Sequence, residues 1–123
     1  MITKADYLGI VVDDLEASKK FYQEKLQLQI DERYDVPGEF AAFKLDGGAM
    51  LAIQTIIPSS GEAVKQPFIP GLAVDDADKT HAAFLAGGVE VLEKPRDLPY
   101  GRTFLFRTPD GHVLRAYQPP AGN

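Results

Sequence analysis

Two pairs of adjacent aspartates are the most evident candidates for acid–base chemistry in this chain of 123 residues. Asp13–Asp14 and Asp75–Asp76 each follow an apolar run, and neighbouring carboxylates can divide the roles of acid and base between them. Each pair also stands where a predicted strand passes into a predicted helix. A carboxylate at that place accepts hydrogen bonds from the first free backbone N–H groups of the helix. The sequence therefore favours helix capping over catalysis for both pairs.

The two histidines are the other residues able to bind a metal or carry a proton. His81 falls within a predicted helix and His112 beside a predicted turn, and no H-x-x-x-H or H-x-E pattern supplies a second ligand. The chain has no cysteine, no G-x-S-x-G elbow, and no phosphate-loop spacing around the glycine pairs at 47–48 and 87–88. We therefore expect surface or capping roles for both histidines and predict no catalytic residue.

The aspartate pairs belong to a longer repeat. Val12-Asp13-Asp14 and Val74-Asp75-Asp76 stand 62 residues apart (74 − 12 = 62). Further on, residues 43–51 (FKLDGGAML) resemble residues 106–114 (FRTPDGHVL), each an apolar strand, an Asp-Gly turn and a second strand. Two similarities in the same order at nearly one spacing predict two tandem modules.

Each module is predicted to contain a strand, a helix and three further strands. The first helix is predicted to begin after Asp14, because apolar residues then follow at helical spacing: Leu15, Phe21, Tyr22 and Leu26. The second runs from Asp76 or Ala77 to about Ala86 and stops at Gly87–Gly88. The predicted strands are 7–12, 29–36, 40–45 and 49–56, then 68–74, 89–93, 102–107 and 112–117. The polar, proline-bounded segment 58–67 is predicted to link module one (about 5–57) to module two (about 68–118).

Composition limits the partners of the chain. With 45% hydrophobic and 25% charged residues it is expected to fold as one domain. A net charge of −5, with lysine and arginine scattered singly, argues against nucleic acid. No apolar run approaches the roughly 18 residues that span a bilayer, so no membrane partner is expected. The absence of cysteine fits a cytoplasmic location.

Two motifs give the chain a family resemblance that covers residues 7–117. The helix opening D-L-x-x-S-x-x-F-Y at 14–22 and the P-D-G hairpin at 109–111 occur in the expected order. Together with the doubled plan, they resemble the vicinal oxygen chelate superfamily, which includes glyoxalase I, bleomycin-resistance proteins, extradiol dioxygenases and fosfomycin-resistance enzymes. The resemblance implies an α+β fold of two tandem βαβββ modules, which form a curved, partly open mixed sheet around a cleft with the helices outside.

The same resemblance identifies the positions at which metal-dependent members hold a divalent ion. Seven residues before the aspartate that opens each helix stand Tyr7 and Ile69. The other two positions are Ala52, or Gln54 with a two-residue shift, and Arg115, four residues after the hairpin glycine. These side chains are poor ligands for a divalent cation, and Arg115 would bring a fixed positive charge to the place of the ion. We therefore predict that the metal site has been lost.

Arg115 is the most informative residue of the predicted cleft. Strand alternation places it on one face with Val113 and Tyr117. A buried guanidinium without an anionic partner costs several kcal/mol, so either an internal carboxylate or a ligand must balance it. A planar compound with a carboxylate would suit it.

The loop at 96–102 borders the ligand groove in proteins of the bleomycin-resistance group that it resembles. Tyr100 in this loop either contacts the ligand or packs on its own Pro99, and the sequence leaves both open. Core packing is predicted for five large apolar residues, namely Phe40, Phe43, Phe68, Phe104 and Phe106.

From these observations we predict a metal-free protein without a cofactor that binds or sequesters a small amphipathic or aromatic molecule, with drug resistance as one role. The predicted ligand-binding residues are Tyr7, Ala52, Gln54, Ile69, Tyr100, Val113, Arg115 and Tyr117. The alternatives are a metal-dependent lyase, isomerase or dioxygenase of the glyoxalase type, and a structural or regulatory partner with a vestigial cleft. A homodimer is expected, because members of the superfamily usually pair.

Overall fold

The computed structural model describes residues 1–55 and 65–120, in which eight strands form one mixed sheet curled into a half-barrel and two α-helices pack on its outer face. The first half contains β1 (Ile2–Val11), α1 (Leu15–Glu24), a short 3₁₀ helix (Glu32–Tyr34), β2 (Phe40–Ala42) and β3 (Met50–Gln54). The second half contains β4 (Phe68–Val74), α2 (Ala77–Ala86), β5 (Glu90–Val91), β6 (Arg96–Leu98), β7 (Gly101–Arg107) and β8 (Val113–Gln118). None of the described helices is long and apolar enough to cross a membrane.

The strand order confirms the repeat. The sheet runs β2-β3-β1-β4-β8-β7-β5, with β6 paired to β7. In each half the first strand pairs in parallel with the last, and the last pairs antiparallel with the strand before it. At the centre β1 and β4 are antiparallel, with Tyr7 opposite Gly71 and Gly9 opposite Ile69. This register relates Tyr7 to Ile69 and Gly9 to Gly71 by an approximate two-fold axis, as the sequence offset predicts.

The first module departs from its predicted plan between α1 and β2. The predicted strand at 29–36 is wrong, because this segment contains the 3₁₀ helix and only isolated bridges at Ile30 and Val36. Asp31 explains the difference, since its side chain accepts a hydrogen bond from the backbone N–H of Arg33 at 3.2 Å and from the guanidinium of Arg33 at 2.8 Å. Such local bonds compete with a β-ladder for the same backbone.

Several further boundaries differ from the prediction. β1 begins at Ile2 and not at residue 7, and β5 is limited to Glu90–Val91 within the predicted 89–93. α1 ends at Glu24 and not beyond Leu26, because Gln27 turns the chain with a φ of 58°. β2 ends at Ala42 and not at residue 45. Residues 96–98, predicted as loop, form β6. Most of the predicted linker, and the end of the predicted strand at 49–56, lie outside the described residues.

Two apolar clusters hold the helices on the outer face. Under α1 the buried residues are Leu15, Ala41, Phe43 and Ile53. Under α2 they are Val74, Ala77, Phe104, Phe106 and Ala116. Phe68 was predicted to be buried and is 51% exposed. Because Ile69 is buried on the inner face, strand alternation turns Phe68 to the outer face.

Candidate functional site

The inner face of the half-barrel brings together all eight residues predicted from the sequence. One buried cluster contains Tyr7, Ala52, Tyr100 and Tyr117, together with Phe40, Ala42 and Ala73. The adjoining cluster contains Ile69 and Val113 with Leu105. Gln54 and Arg115 are buried beside them. These residues therefore converge, and their role in binding a ligand remains a prediction.

Strand β8 positions Arg115 as alternation predicts. Val113 and Tyr117 belong to the inner clusters, whereas Leu114 and Ala116 pack with the outer cluster under α2. The guanidinium of Arg115 therefore points into the half-barrel, where the residue is only 3% exposed. Its Nη1 donates a hydrogen bond to Thr103 Oγ1 at 2.9 Å.

Two tyrosine rings flank the guanidinium of Arg115. Its Cζ lies 5.4 Å from the ring centre of Tyr100 and 5.8 Å from that of Tyr7, within the range of cation–π attraction. Burial alone would lower the pKa of Arg115, but the influence of Tyr100, Tyr7 and Glu93 outweighs it and keeps the pKa above its ordinary value. The inner face therefore carries a permanent cation.

Tyr7 fills the middle of the inner face. Its ring lies over Gly71 of the neighbouring strand, where an added Cβ would be only 2.5 Å from the ring. Its hydroxyl donates a hydrogen bond to Gln54 Oε1. Burial raises the pKa of Tyr7, so its phenol stays neutral near pH 7 and is a hydrogen-bond donor rather than a base.

Three buried donors surround one recess. Within the part of the chain that the structure describes, Gln54 Nε2, Tyr100 Oη and Arg115 Nε have no hydrogen-bond partner. All three residues line the same recess, which leaves space for about one water molecule. We call this feature the donor recess, defined by Gln54, Tyr100 and Arg115.

Contacts between the two modules close the mouth of the donor recess. Arg96 Nη2 lies 3.2 Å from Glu39 Oε1, and the ring of Tyr100 stacks on Phe40 with 4.4 Å between centroids. Tyr100 thus reaches across to the first module, and its contact with a ligand stays a prediction. We call these two contacts the mouth contacts.

Glu93 supplies an internal carboxylate that the sequence reasoning missed. It is buried, and its Oε1 lies 3.7 Å from Arg96 Nε. Its charge also acts on Arg115. Thr103 was missed as well, although it lies opposite Tyr117 in the ladder and could have been found by pairing β7 with β8. No sequence pattern points to Glu93.

A wider groove borders the same aromatic cluster. It has a volume of about 490 Å³ and is lined by Tyr34, Lys44, Met50 and Tyr117, among others. The hydroxyl of Tyr117 donates a hydrogen bond to the carboxylate of Asp6 at its edge. A groove of this volume is within the range of small-molecule sites.

The residues at the inherited metal positions do not fit a divalent cation. The hydroxyl of Tyr7 already donates a hydrogen bond to Gln54. The side chains of Ala52 and Ile69 have no atom that can ligate a metal, and Arg115 is positively charged. Among residues 1–55 and 65–120 there is no group of three His, Cys, Asp or Glu able to hold an ion.

The remaining sequence candidates have structural roles. Asp14 and Asp76 accept hydrogen bonds from the backbone N–H groups of Ala17 at 3.1 Å and Lys79 at 3.0 Å, which confirms both caps. His81 packs edge-on against an outer-face phenylalanine. His112 is exposed beside Asp110.

Two modules, each with a strand, a helix and further strands, form a half-barrel that is consistent with the vicinal oxygen chelate fold. The family described as Glyoxalase/Bleomycin resistance protein/Dioxygenase superfamily matches residues 4–115. The chain belongs to this superfamily.

Several solved structures share the fold. Streptomyces coelicolor methylmalonyl-CoA epimerase in complex with 2-nitronate-propionyl-CoA is 21% identical over 98% of this chain and 100% of that chain, with a TM-score of 0.68. The epimerase from Mycobacterium tuberculosis is 19% identical over 97% and 89%, with a TM-score of 0.67. A superfamily member from Vibrio splendidus is 19% identical over 91% and 96%, with a TM-score of 0.59. At these identities the likeness concerns the fold alone, and no curated protein sequence matches the chain significantly.

Proposed function

We propose that this protein is a metal-free binding protein that holds a small amphipathic or aromatic molecule on the inner face of the half-barrel. The observation that carries the proposal is Arg115, a buried cation between two tyrosine rings at a position that serves a metal ion in other superfamily members. A second positive charge beside it would be repelled. Aromatic rings and a fixed guanidinium suit an organic ligand instead.

The aromatic cluster and the adjoining groove provide the surface for such a ligand. The rings of Tyr7, Phe40, Tyr100 and Tyr117 are buried against one another, and Tyr117 also lines the wider groove. The proposed role is sequestration in the cytoplasm, including resistance to a drug, by a homodimeric protein.

Metal content and ligand binding test this proposal together. After dialysis without chelator, elemental analysis should find no stoichiometric nickel, zinc, iron or manganese. Methylglyoxal with glutathione should give no turnover. In a thermal-shift panel of aromatic acids, amines, neutral aromatic compounds and bleomycin, a ligand at about a hundred times its Kd should add about 2.7 kcal/mol to the free energy of unfolding, which raises Tm by several degrees.

Two variants locate the binding. Tyr34→Ala removes a side chain that lines the groove and should lower the affinity for the compound found in the panel. Phe21→Ala changes an exposed ring on α1 and should leave that affinity unchanged. Stoichiometric metal with turnover would instead establish the glyoxalase-type enzyme. A panel without any hit would favour the vestigial cleft.

A further inference from the structure

We infer that the donor recess anchors a carboxylate of the ligand. This inference rests on the proposed function and adds the chemical class of the ligand and the atoms that select it. The selectivity for a carboxylate comes from the donor recess and not from the wider groove.

The donors of the recess match a carboxylate in kind and number. Gln54 offers an amide N–H, Tyr100 a hydroxyl and Arg115 a guanidinium N–H, and these residues are 1%, 2% and 3% exposed. A buried donor left without a partner is costly. A carboxylate is acceptor-only and has about four lone-pair sites on two oxygens, so one group can satisfy all three donors.

The charges around the recess balance one another. The guanidinium of Arg115 and the carboxylate of Glu93 are both buried, whereas the side chains of Arg96 and Glu39 at the mouth are 40% and 42% exposed and form an ion pair. The preference for an anion therefore comes from the three unpaired donors of the recess and not from an excess of positive charge.

The size of the recess and its closed mouth define how the acid binds. The recess leaves space for about one water molecule, which favours a small planar head over a tetrahedral oxyanion. For the head to enter, the Glu39–Arg96 ion pair must part. The body of the ligand would then lie between Phe40 and Tyr100, whose rings now stack directly.

The donors come from both modules. Gln54 ends β3 of the first module, whereas Tyr100 and Arg115 belong to the second. A bound carboxylate would therefore bridge the modules in place of the mouth contacts. The ligand would hold the half-barrel closed from the inside.

The test is calorimetric titration with benzoate, benzamide and benzylamine, which share a ring and differ in the charge of the head group. Benzoate should bind tightest, and benzylamine weakest. Arg115→Met should lower the affinity for benzoate by about ten- to a hundred-fold, and Tyr100→Phe, which removes only the hydroxyl, by about tenfold. Both should change the affinity for benzamide much less. The matched control Tyr22→Phe removes the hydroxyl of a residue of α1 whose ring stacks on Phe43, and it should change none of the affinities.

Equal affinities for benzoate and benzamide, or benzoate binding that Tyr100→Phe and Arg115→Met leave unchanged, would overturn the inference while the proposed binding function stands. Displacement of benzoate by inorganic phosphate at equal affinity would also overturn it, because the recess would then be a general oxyanion site. If none of the three probes and no compound of the thermal-shift panel binds, both proposals fail and water satisfies the donors. Circular dichroism checks the fold of each variant, and Tyr100→Phe decides if Arg115→Met does not fold.

Discussion

At the scale of single residues, Tyr7 determines what the inner face can hold. Its ring covers the backbone of β4 because Gly71 has no side chain, and its hydroxyl reaches Gln54. The tyrosine thus occupies the space at the first position where the family resemblance implies a metal ligand. A small residue at 7 would leave a cavity there, whereas tyrosine packs against three other rings.

Substitution of Gly71 tests this packing. In Gly71→Ala the new methyl group would lie 2.5 Å from Tyr7 Cδ1, so the ring or the strand must move. Overpacking of this kind costs about 1 to 3 kcal/mol, which urea unfolding followed by circular dichroism would measure. In a Tyr7→Ala background the same substitution should cost clearly less, because the two sites are in contact.

The matched control is Gly87→Ala at the end of α2. Its φ of −85° suits alanine, so we expect a change in the free energy of unfolding of less than about 1 kcal/mol. Equal stabilities of Gly71→Ala and the unchanged protein would show that the Tyr7 ring does not lie over β4.

The sequence predicts the placement of single residues on strands better than their contacts. Alternation on β8 assigns Val113, Arg115 and Tyr117 to the inner face, and the structure confirms it. The stacking of Tyr100 on Phe40 depends on how far the sheet curls, which no local pattern encodes. Glu93 was missed for the same reason, since its neighbour Arg96 stands on a short strand that only the curled sheet brings into place.

At the scale of elements, both helices begin at an aspartate that caps them. Asp14→Ala and Asp76→Ala should each lower the free energy of unfolding by about 1 kcal/mol, because each removes the acceptor of a backbone N–H at the helix start. Chemical denaturation measures the change. Asp13→Ala is the matched control, because in the described part of the chain the Asp13 side chain makes no hydrogen bond or ion pair. A loss of ligand binding in Asp76→Ala without a loss of stability would contradict the capping role.

Elements with a strong local signal were predicted well, and those without one were not. α2 has a capping aspartate and a terminal glycine, and its bounds agree with the prediction. The segment at 29–36 reads as a strand because its apolar residues alternate, yet Asp31 and Arg33 fold it locally into a 3₁₀ turn. β6 was not predicted, because its three residues stand between Pro95 and Pro99 and the segment resembles a loop.

At the scale of the whole molecule, the doubled plan explains why distant residues meet. The two-fold relation between β1 and β4 brings Tyr7, Ile69, Ala52 and Arg115 to one inner face, although Tyr7 and Arg115 are 108 residues apart in the sequence (115 − 7 = 108). The sequence offset, together with the family resemblance, predicted this convergence. It could not predict how fully aromatic side chains fill the space, because packing depends on the whole curled sheet.

Three of the chain's five tyrosines belong to this filled inner face, and they make the fold sensitive to alkali. Burial raises the pKa of Tyr7, Tyr100 and Tyr117. A phenol whose pKa is raised in the folded state keeps its proton there after it has lost it in the unfolded state. Its contribution to stability is therefore complete below the unfolded pKa of about 10 and is lost as the pH rises through the folded value.

The free energy of unfolding should accordingly fall steeply above about pH 10, by up to about 4 kcal/mol per pH unit while the unfolded state has lost three protons that the folded state retains. Denaturant unfolding at a series of pH values measures this slope. Tyr7→Phe should reduce it by about one third, because one of the three ionisable groups is gone. The three inner-face tyrosines should ionise only when the protein unfolds. Their tyrosinate absorbance should therefore rise at the same pH at which the far-ultraviolet circular dichroism is lost. Complete ionisation of all tyrosines in a protein that keeps its native dichroism would show that the inner face is open to hydroxide, and the closed, aromatic-filled half-barrel described above would then be wrong.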